Sequence, residues 1–351
     1  MFLNEREVQD ISRKVKEKRV FQSRDIVKRK AVITAQRIIV ENYPENRPKS
    51  VFNPTFKITE RGLKLFARIS VGYYTYTSGI IEFDLPFEDL SMDCNKVYKG
   101  SLSIIPDNRY DFWGVEDPRY YMLDGNEFIT YSGRTVNYFQ THIRVERTLP
   151  VTAIKKGGEW RKVAVFRMSE EIRSFVVSDK NAFLVKGEEL MLFHRLHMLN
   201  ERFYLNICRI PKDIFIGEGL REIEIGENIT ALEPSDFESK IGWGTPPVKV
   251  NDEYLVLLHG VDKELSVYRV FAALIDKKGC FCAVTPFYIM EPKEIYEIYG
   301  DRPYVVFPCG AQIWNGKLYI SYGGADSVIG IGVLEIDHLL EILNQNRIDK
   351  G

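Results

Sequence analysis

Short alternations of apolar and polar residues dominate the chain from about residue 50 onward, and turn-forming residues separate them. Alternation with a period of two is typical of half-buried β-strands. Five of these segments share one pattern, in which a turn is followed by a strongly apolar strand and a polar end. They read ERGLKLFARIS, DGNEFITYSGRT, KGEELMLFHRLH, NDEYLVLLHGVD and NGKLYISYGGAD. The pattern predicts five β-hairpins.

The five hairpins recur at an even spacing along the chain. Their turn residues lie 62 to 65 residues apart, at Gly62, Gly125, Gly187, Asp252 and Gly316. A unit of this length accommodates a four-stranded antiparallel blade with long loops, and propellers carry about four to eight such blades. We therefore predict an all-β fold, a five-bladed β-propeller that spans residues 46–351 as one domain.

The two ends of the chain depart from this repeat. Residues 1–45 contain apolar residues at helical spacing, and Lys and Arg outnumber Asp and Glu by 11 to 5 in the first forty. We predict an N-terminal helical extension, packed on the domain or on a second subunit of a homo-oligomer; a role at a nucleic-acid or membrane surface is the alternative. The segment IDHLLEILNQ predicts a short C-terminal helix.

Composition and charge narrow the possible function classes. A formal net charge of −1 argues against a nucleic-acid partner, which usually requires a basic excess. The N-terminus lacks an apolar signal region and no apolar run approaches ~18 residues, so we expect no membrane partner. Five cysteines without zinc-like spacing indicate a reduced compartment and no metal site, and we predict a cytoplasmic protein. No glycine-rich loop opens a helix, so we expect no nucleotide cofactor.

Each hairpin begins and ends with polar residues. The start of the first strand and the end of the second lie at the same end of an antiparallel hairpin, so innermost hairpins would place these residues around one mouth of the central channel. The strand starts are Asn53, Asp117, Lys180, Thr245 and Gln312, and the strand ends are Arg68, Arg134, His194 with Arg195, His259 and Asp326. Buried charges need partners or a function, although each residue alone has an ordinary structural explanation, such as a turn at Asp117.

At these residues the chain resembles glycoside hydrolase family 130, which contains β-mannoside phosphorylases and β-mannosidases. The resemblance covers roughly residues 50–335 and rests on motifs in the family's order. They are FNP at 52–54, GVEDPR at 114–119, KNA at 180–182 with HR at 194–195, GWGTPP at 242–247 with LHGV at 258–261, and FPCG at 307–310 with YGGAD at 322–326. The resemblance implies a five-bladed propeller that cleaves terminal β-mannosides with inorganic phosphate and inverts the configuration, giving α-mannose 1-phosphate.

The same resemblance implies roles for individual residues. Asp117 would be the general acid, passing its proton through the 3-hydroxyl of the sugar. The residues expected to bind phosphate are Arg134, Lys180, His194 and Arg195. The residues expected to bind the sugar are Asn53, Arg68, Glu116, Arg119, His259 and Asp326. Phosphate would then be a co-substrate, with no cofactor and no metal.

The balance of charge at the predicted mouth bears on the nucleophile. A phosphate is already anionic and needs a cationic cradle, whereas water needs a second carboxylate roughly 6.5–9.5 Å from the acid. Six basic residues accompany only Asp117, Asp262 and Asp326 there, which favours phosphate. An inverting β-mannosidase with Asp326 or Asp262 as the base is the alternative, and so is a non-catalytic propeller that binds glycans.

Overall fold

The fold is given by a computed structural model, which describes residues 4–72, 77–212, 214–215 and 219–349. Its strands form five sheets around a centre where the first strands of the blades contact one another. The predicted five-bladed β-propeller is confirmed, with a helix near each end of the chain. Residues 1–3 of the predicted extension and 350–351 of the predicted domain lie outside the described residues.

Four elements precede the first blade. They are helix α1 (Glu5–Lys18), strand β1 (Lys28–Ile33), a 3₁₀ turn (Ala35–Arg37) and strand β2 (Ile38–Val40). Asn4 caps α1 by accepting a hydrogen bond from the Arg6 backbone N–H. The helix buries Val8 and Val15 against the propeller.

Blades 1 and 2 follow in chain order. Blade 1 contains β3 (Ser50–Thr59), β4 (Gly62–Ser70), β5 (Ser78–Pro86), a 3₁₀ turn (Phe87–Asp89) and β6 (Tyr98–Ile104). Blade 2 contains β7 (Val115–Leu123), β8 (Asn126–Arg134), β9 (Thr148–Lys156) and β10 (Glu159–Met168), after which comes the short helix α2 (Glu170–Arg173).

Blades 3 to 5 complete the ring. Blade 3 has β11 (Val176–Lys186), β12 (Leu190–Met198), β13 (Phe203–Arg209) and β15 (Asn228–Leu232), while β14 (Arg221–Ile225) adds a parallel outer strand to blade 2. Blade 4 has β16 (Glu238–Trp243), β17 (Val248–Val250), β18 (Glu253–Asp262), β19 (Tyr268–Ile275) and β20 (Phe281–Val284). Helix α3 (Ile295–Ile298) precedes blade 5, which has β21 (Val306–Trp314), β22 (Lys317–Gly324) and β23 (Val328–Glu335) before helix α4 (Ile336–Gln345).

The N-terminal helix predicted within residues 1–45 is confirmed as α1, but the rest of this segment adds strands to the first and last blades and closes the ring. Strand β1 pairs antiparallel with β23 of blade 5, and β2 pairs parallel with β6 of blade 1. Val32, Ile33, Ile38 and Ile39 lie in these strands, although they belong to the apolar spacing from which a helix is predicted. They are β-branched residues that suit a strand, and the outer edges of the first and last blades offer unpaired backbone groups.

Apolar side chains from neighbouring blades fill the space between the sheets. The predicted C-terminal helix is confirmed as α4, and it buries Ile336, Leu339 and Leu343 in the cluster beside blades 4 and 5. All five cysteines are described, and none forms a disulfide. Among the described helices, none combines the length and the apolar character that a membrane span requires.

Candidate active site

A local distortion of the innermost strands builds the candidate site. The first strands of blades 1, 2 and 3 each contain a register shift against the second strand. Within each shift lies one residue in the left-handed conformation, Asn53 (φ 48°), Asp117 (φ 52°) or Asn181 (φ 54°). Asn and Asp tolerate this conformation better than other non-glycine residues, and a bulge redirects the side chain at its centre.

These three positions are 64 residues apart, so they are equivalent points of the repeat. The same interval leads to Thr245, in the break between β16 and β17, and to Cys309, in a register shift of β21. For these points of blades 3 and 5 the sequence predicts Lys180 and Gln312. Lys180 lies next to the bulge residue Asn181 and lines the predicted mouth, whereas the prediction for Gln312 is wrong. Gln312 lies beyond the bulge and donates to the Phe56 carbonyl oxygen at 2.8 Å, towards the opposite mouth of the channel.

A cavity of about 350 Å³ opens at the mouth where these bulges lie. Six of the predicted site residues line it: Asn53, Arg68, Asp117, Lys180, Arg195 and Asp326. The other five, Glu116, Arg119, Arg134, His194 and His259, do not line the cavity and are all buried. The repeat therefore brings the predicted acid together with about half of its predicted partners.

The wall of the cavity beside Asp117 is organised by one fully buried carboxylate, Glu116. It pairs with Arg68 at 3.2 Å, with Lys180 at 2.9 Å and with Arg134 at 4.0 Å, and it accepts a short hydrogen bond from the Tyr138 hydroxyl. We call these five residues the Glu116 cluster. Burial alone would raise the pKa of Glu116, but the three cations hold it well below its usual range.

Asp117 sits at the edge of the Glu116 cluster with one oxygen held in place. Its Oδ1 accepts from the Asn53 side-chain amide at 2.8 Å and from Arg68 at 3.2 Å. Arg119 lies beneath it, fully buried, and donates to the Asp117 backbone carbonyl at 2.6 Å. The predicted sugar contact of Arg119 is thus replaced by a contact that supports the bulge.

Asp326 lines the same cavity as Asp117, from the turn between β22 and β23. It is also in the left-handed conformation, with φ 50°. Burial and the neighbouring charge of Asp117 raise the pKa of Asp326 to about 6. Asp117 and Asp326 thus bring two carboxylates to one cavity, which suits acid–base chemistry.

The remaining wall carries three cations, Arg195, Lys240 and Arg302, which we call the unpaired cations. In the part of the chain that the structure describes, no ion pair joins any of them to a carboxylate. Burial and the charges of Arg195, Arg302 and Lys180 lower the pKa of Lys240 to about 7. This wall therefore carries positive charge that no ion pair in the described part of the chain neutralises.

His194 is correctly predicted to be on the strand but does not face the cavity. Side chains alternate along a strand, so Arg195 points into the channel and His194 into the blade interior. Its Nδ1 lies 2.8 Å from Asp179 Oδ2 and its Nε2 lies 2.9 Å from Asn228 Oδ1. Burial opposes the charge of His194, but Asp179 raises its pKa well above the usual value. Both ring nitrogens are engaged, so His194 supports the blade.

His259 and Arg134 also lie behind the cavity wall. The His259 ring is fully buried against Phe307 and Tyr268, with centroid distances of 4.7 and 5.7 Å. Burial and the nearby cations Arg195 and Arg119 lower its pKa well below the usual value, so it is neutral. Arg134 stacks on the Tyr138 ring at 3.5 Å, behind the group that faces the cavity.

Several cavity residues escaped the sequence analysis. They are Tyr138, Asn181, His197, Phe203, Lys240, Tyr268, Arg302, Val305 and Phe307. Asn181 was detectable, because it lies 64 residues after Asp117 in the repeat. Lys240 is not among the predicted residues, because the sequence pattern places the start of the innermost strand of blade 4 near Thr245, whereas β16 begins at Glu238. Tyr138 and Arg302 lie in loops outside the repeat, where no sequence signal marked them.

Other features of the molecule lack this convergence of polar groups. Three larger cavities, of about 630, 540 and 410 Å³, lie beside α1, at the opposite mouth of the channel and near the start of β13, and none of them is lined by Asp117. Among the described residues, Glu253, Cys282 and Asp349 are close enough to hold a metal ion. Arg347 pairs with Glu253 at 2.6 Å and with Asp349 at 2.5 Å, so a cation already balances these carboxylates.

Comparison with known proteins agrees with the geometry of the site. A family model described as β-1,4-mannooligosaccharide phosphorylase, that of glycoside hydrolase family 130, matches residues 17–345. The chain belongs to glycoside hydrolase family 130. The resemblance noted from the short motifs is thereby confirmed.

Relatives in this family include characterised phosphorylases. A β-1,2-mannobiose phosphorylase from Thermoanaerobacter sp. (strain X514) is 31% identical over 230 residues, which are 64% of this chain and 67% of the relative. A β-1,4-mannooligosaccharide phosphorylase from Ruminococcus albus is 29% identical over 145 residues, 38% of this chain and 42% of the relative. The β-1,2-mannobiose phosphorylase from Listeria innocua, solved in complex with β-1,2-mannobiose, covers 92% of this chain and 97% of its own at a TM-score of 0.67. At 17% identity, that likeness shows the fold alone.

Proposed function

We propose that this family 130 protein is an inverting phosphorylase that cleaves terminal β-mannosides with inorganic phosphate and yields α-mannose 1-phosphate. The observation that supports this most is the wall of unpaired cations, which faces the same cavity as Asp117. An anion-binding wall beside a carboxylic acid suits attack by phosphate, because the anion needs charge and orientation and no general base.

The residues divide the reaction between them. Asp117, held by Asn53 and Arg68, would supply the proton to the leaving oxygen, by way of a sugar hydroxyl, as the anomeric carbon–oxygen bond breaks. A phosphate held by the unpaired cations, with Lys180 beside them, would form the new bond through one of its oxygens on the opposite face of the sugar. Inversion follows from a single displacement.

This proposal revises which residues bind phosphate. Of the four residues predicted from the sequence, Lys180 and Arg195 line the cavity, while Arg134 and His194 lie behind it. We place Lys240 in their stead, because its charge has no carboxylate partner. Asn53, Arg68 and Asp326 are the proposed sugar contacts, and the linkage and acceptor sugar are left to experiment.

A hydrolase is the second candidate, and Asp326 is the observation that favours it. A carboxylate whose pKa is raised to about 6 is largely ionised at neutral pH and has the properties of a water-activating base. It shares the cavity with Asp117, as an inverting hydrolase requires.

The synthetic direction separates these candidates. The protein is incubated with α-mannose 1-phosphate and a panel of mannose, mannobiose and glucose acceptors, and phosphate release is measured. A phosphorylase releases phosphate only with an acceptor and forms a β-mannoside. Phosphate release without an acceptor, or none with any acceptor while β-mannosides are hydrolysed, contradicts the proposal. Binding of β-mannosides with no turnover would identify the protein as a glycan-binding propeller.

A further inference from the structure

The unpaired cations alternate in space with two aromatic rings. Arg195 Cζ lies 5.3 Å from the centroid of the Phe203 ring, and Lys240 Nζ lies 5.6 Å from the same ring. Lys240 Nζ also lies 5.1 Å from the Tyr268 ring, and Arg302 Cζ lies 4.6 Å from it. The order Arg195, Phe203, Lys240, Tyr268, Arg302 is therefore continuous along one wall of the cavity.

Three blades contribute to this wall, so it is a product of the whole ring. Arg195 and Phe203 belong to β12 and β13 of blade 3, Lys240 and Tyr268 to β16 and β19 of blade 4, and Arg302 to the loop before blade 5. Cross-strand pairing sets the positions of the rings. Phe203 is directly opposite His197, whose ring stacks on it at 4.2 Å.

An aromatic ring differs from a carboxylate as a neighbour of a cation. The face of the ring attracts the cation through its quadrupole but carries no net charge. The cation is thereby held in place while its charge stays available to an anionic ligand. A carboxylate would neutralise it, as Glu116 does for Arg68 and Lys180 on the other wall.

We propose that Phe203 and Tyr268 are positioning residues for a doubly charged tetrahedral oxyanion, and that they hold Arg195, Lys240 and Arg302 at separate points around one inorganic phosphate. The proposal deepens the proposed function and rests on it for the identity of the anion. In this role the two rings do not stack on the sugar. They act on the phosphate indirectly, by holding the cations that bind it.

The state of Lys240 supports this assignment. The pKa of Lys240 is lowered first by burial and then by the charges of Arg195, Arg302 and Lys180. The cations therefore still repel one another, although the rings lie between them. Asp326 is the carboxylate that acts against this. A bound phosphate would relieve the repulsion, so the wall is in a strained electrostatic state until an anion arrives.

The test measures binding of inorganic phosphate directly, by isothermal titration calorimetry on the full chain. Phe203→Leu and Tyr268→Leu remove a ring and keep an apolar side chain, and each should weaken phosphate binding about 10-fold, since each ring contacts two cations. Tyr268→Phe keeps the ring and should bind phosphate within about 2-fold of the wild type. Phe87→Leu is the matched control, because Phe87 is a half-buried ring packed on Trp314 and Tyr319 away from the cavity.

Steady-state kinetics distinguish a positioning role of the rings from a general loss of structure. In Phe203→Leu the KM for phosphate should rise about 10-fold while the KM for the mannoside changes little. Phosphate binding equal to the wild type in both leucine variants overturns the proposal, and so does an equal loss in Phe87→Leu or Tyr268→Phe. If the wild type binds phosphate but releases only free mannose, the proposed function fails and the positioning role stands. If the wild type binds no phosphate, both are overturned.

Discussion

The two walls of the cavity hold the same kinds of cation in opposite electrostatic states. On one wall, Glu116 pairs with Arg68, Arg134 and Lys180 and is itself completely buried. On the other wall, Arg195, Lys240 and Arg302 lie against aromatic rings and have no ion pair to a carboxylate in the described chain. Each wall has three basic residues, so the number of basic residues alone does not distinguish the two walls.

The difference supports a separate role for each wall. Breaking an ion pair that is buried inside the protein costs energy, so the Glu116 cluster fixes the position of Arg68. Arg68 in turn holds Asp117 in place. Charges without partners gain when an anion binds. Under the proposed function, the first wall would be a scaffold for the acid, with Lys180 also facing the phosphate, and the second wall would be a receptor for the nucleophile.

The largest expected effect comes from the acid that lies between the walls. Asp117→Asn should lower kcat by about 10²-fold or more, because an amide cannot supply the proton. Phosphate binding should change little, since the receptor wall is intact. Steady-state kinetics and calorimetry on the same preparation measure both. Asp84→Asn is the control, because Asp84 is an exposed partner of Lys64, and a kcat near normal for Asp117→Asn would remove Asp117 from its role.

Breaking the scaffold wall should affect stability next. Glu116→Gln leaves buried cations without their shared counter-charge, so the free energy of unfolding should fall by about 3 kcal/mol. Lys240→Met removes an unpaired cation and should cost less than about 1 kcal/mol. Urea denaturation followed by circular dichroism gives both values. Equal losses in the two variants would mean that the walls do not differ in the way described.

Much of this contrast lies beyond what the sequence reveals. The repeat predicted the five blades and the convergence of Asn53, Arg68, Asp117 and Asp326, because a regular period fixes where equivalent strands begin and end. It did not reveal that Asp117 and Asn181 occupy equivalent bulges, since hairpin turns of unequal length obscured the 64-residue interval.

Two further misses have simple physical causes. Both His194 and Arg195 are polar residues at the end of β12, and the polar pattern alone does not say which of two adjacent residues faces the channel, so both were predicted there. Apolar β-branched residues near 26–39 suit either a helix face or a closing strand. These residues form strands because the outer edges of blades 1 and 5 offer unpaired backbone groups, and those edges exist only in the assembled ring.

Weakening the receptor wall should act on phosphate and leave the scaffold alone. Arg195→Ala and Lys240→Ala should each raise the KM for phosphate about 10-fold, the loss of one charge-assisted hydrogen bond, with a smaller change in the KM for the mannoside. Arg134→Ala should raise it less, since Arg134 lies behind Tyr138. Initial rates over a matrix of phosphate and mannoside concentrations decide this. A larger effect from Arg134 than from Lys240 would reverse the assignment of the walls.

The smallest expected effect is a pH dependence. The pKa of Lys240 is lowered to about 7, so the side chain is charged below that pH and loses its charge as the pH rises. Between pH 6 and 8 the KM for phosphate should rise roughly 5-fold more in the wild type than in Lys240→Arg, whose guanidinium stays charged. Comparing the two proteins cancels the titration of phosphate itself. Parallel pH profiles would exclude Lys240 from the receptor wall.

The central claim is that the unpaired cations bind the nucleophile, and one measurement tests it most directly. The wild-type protein is incubated with a terminal β-mannoside in phosphate-free buffer and with increasing inorganic phosphate, and free mannose and mannose 1-phosphate are quantified. The account predicts α-mannose 1-phosphate that increases with phosphate to saturation, and little cleavage without it. Release of free mannose at the same rate with and without phosphate would contradict the account and make water, activated by Asp326, the nucleophile.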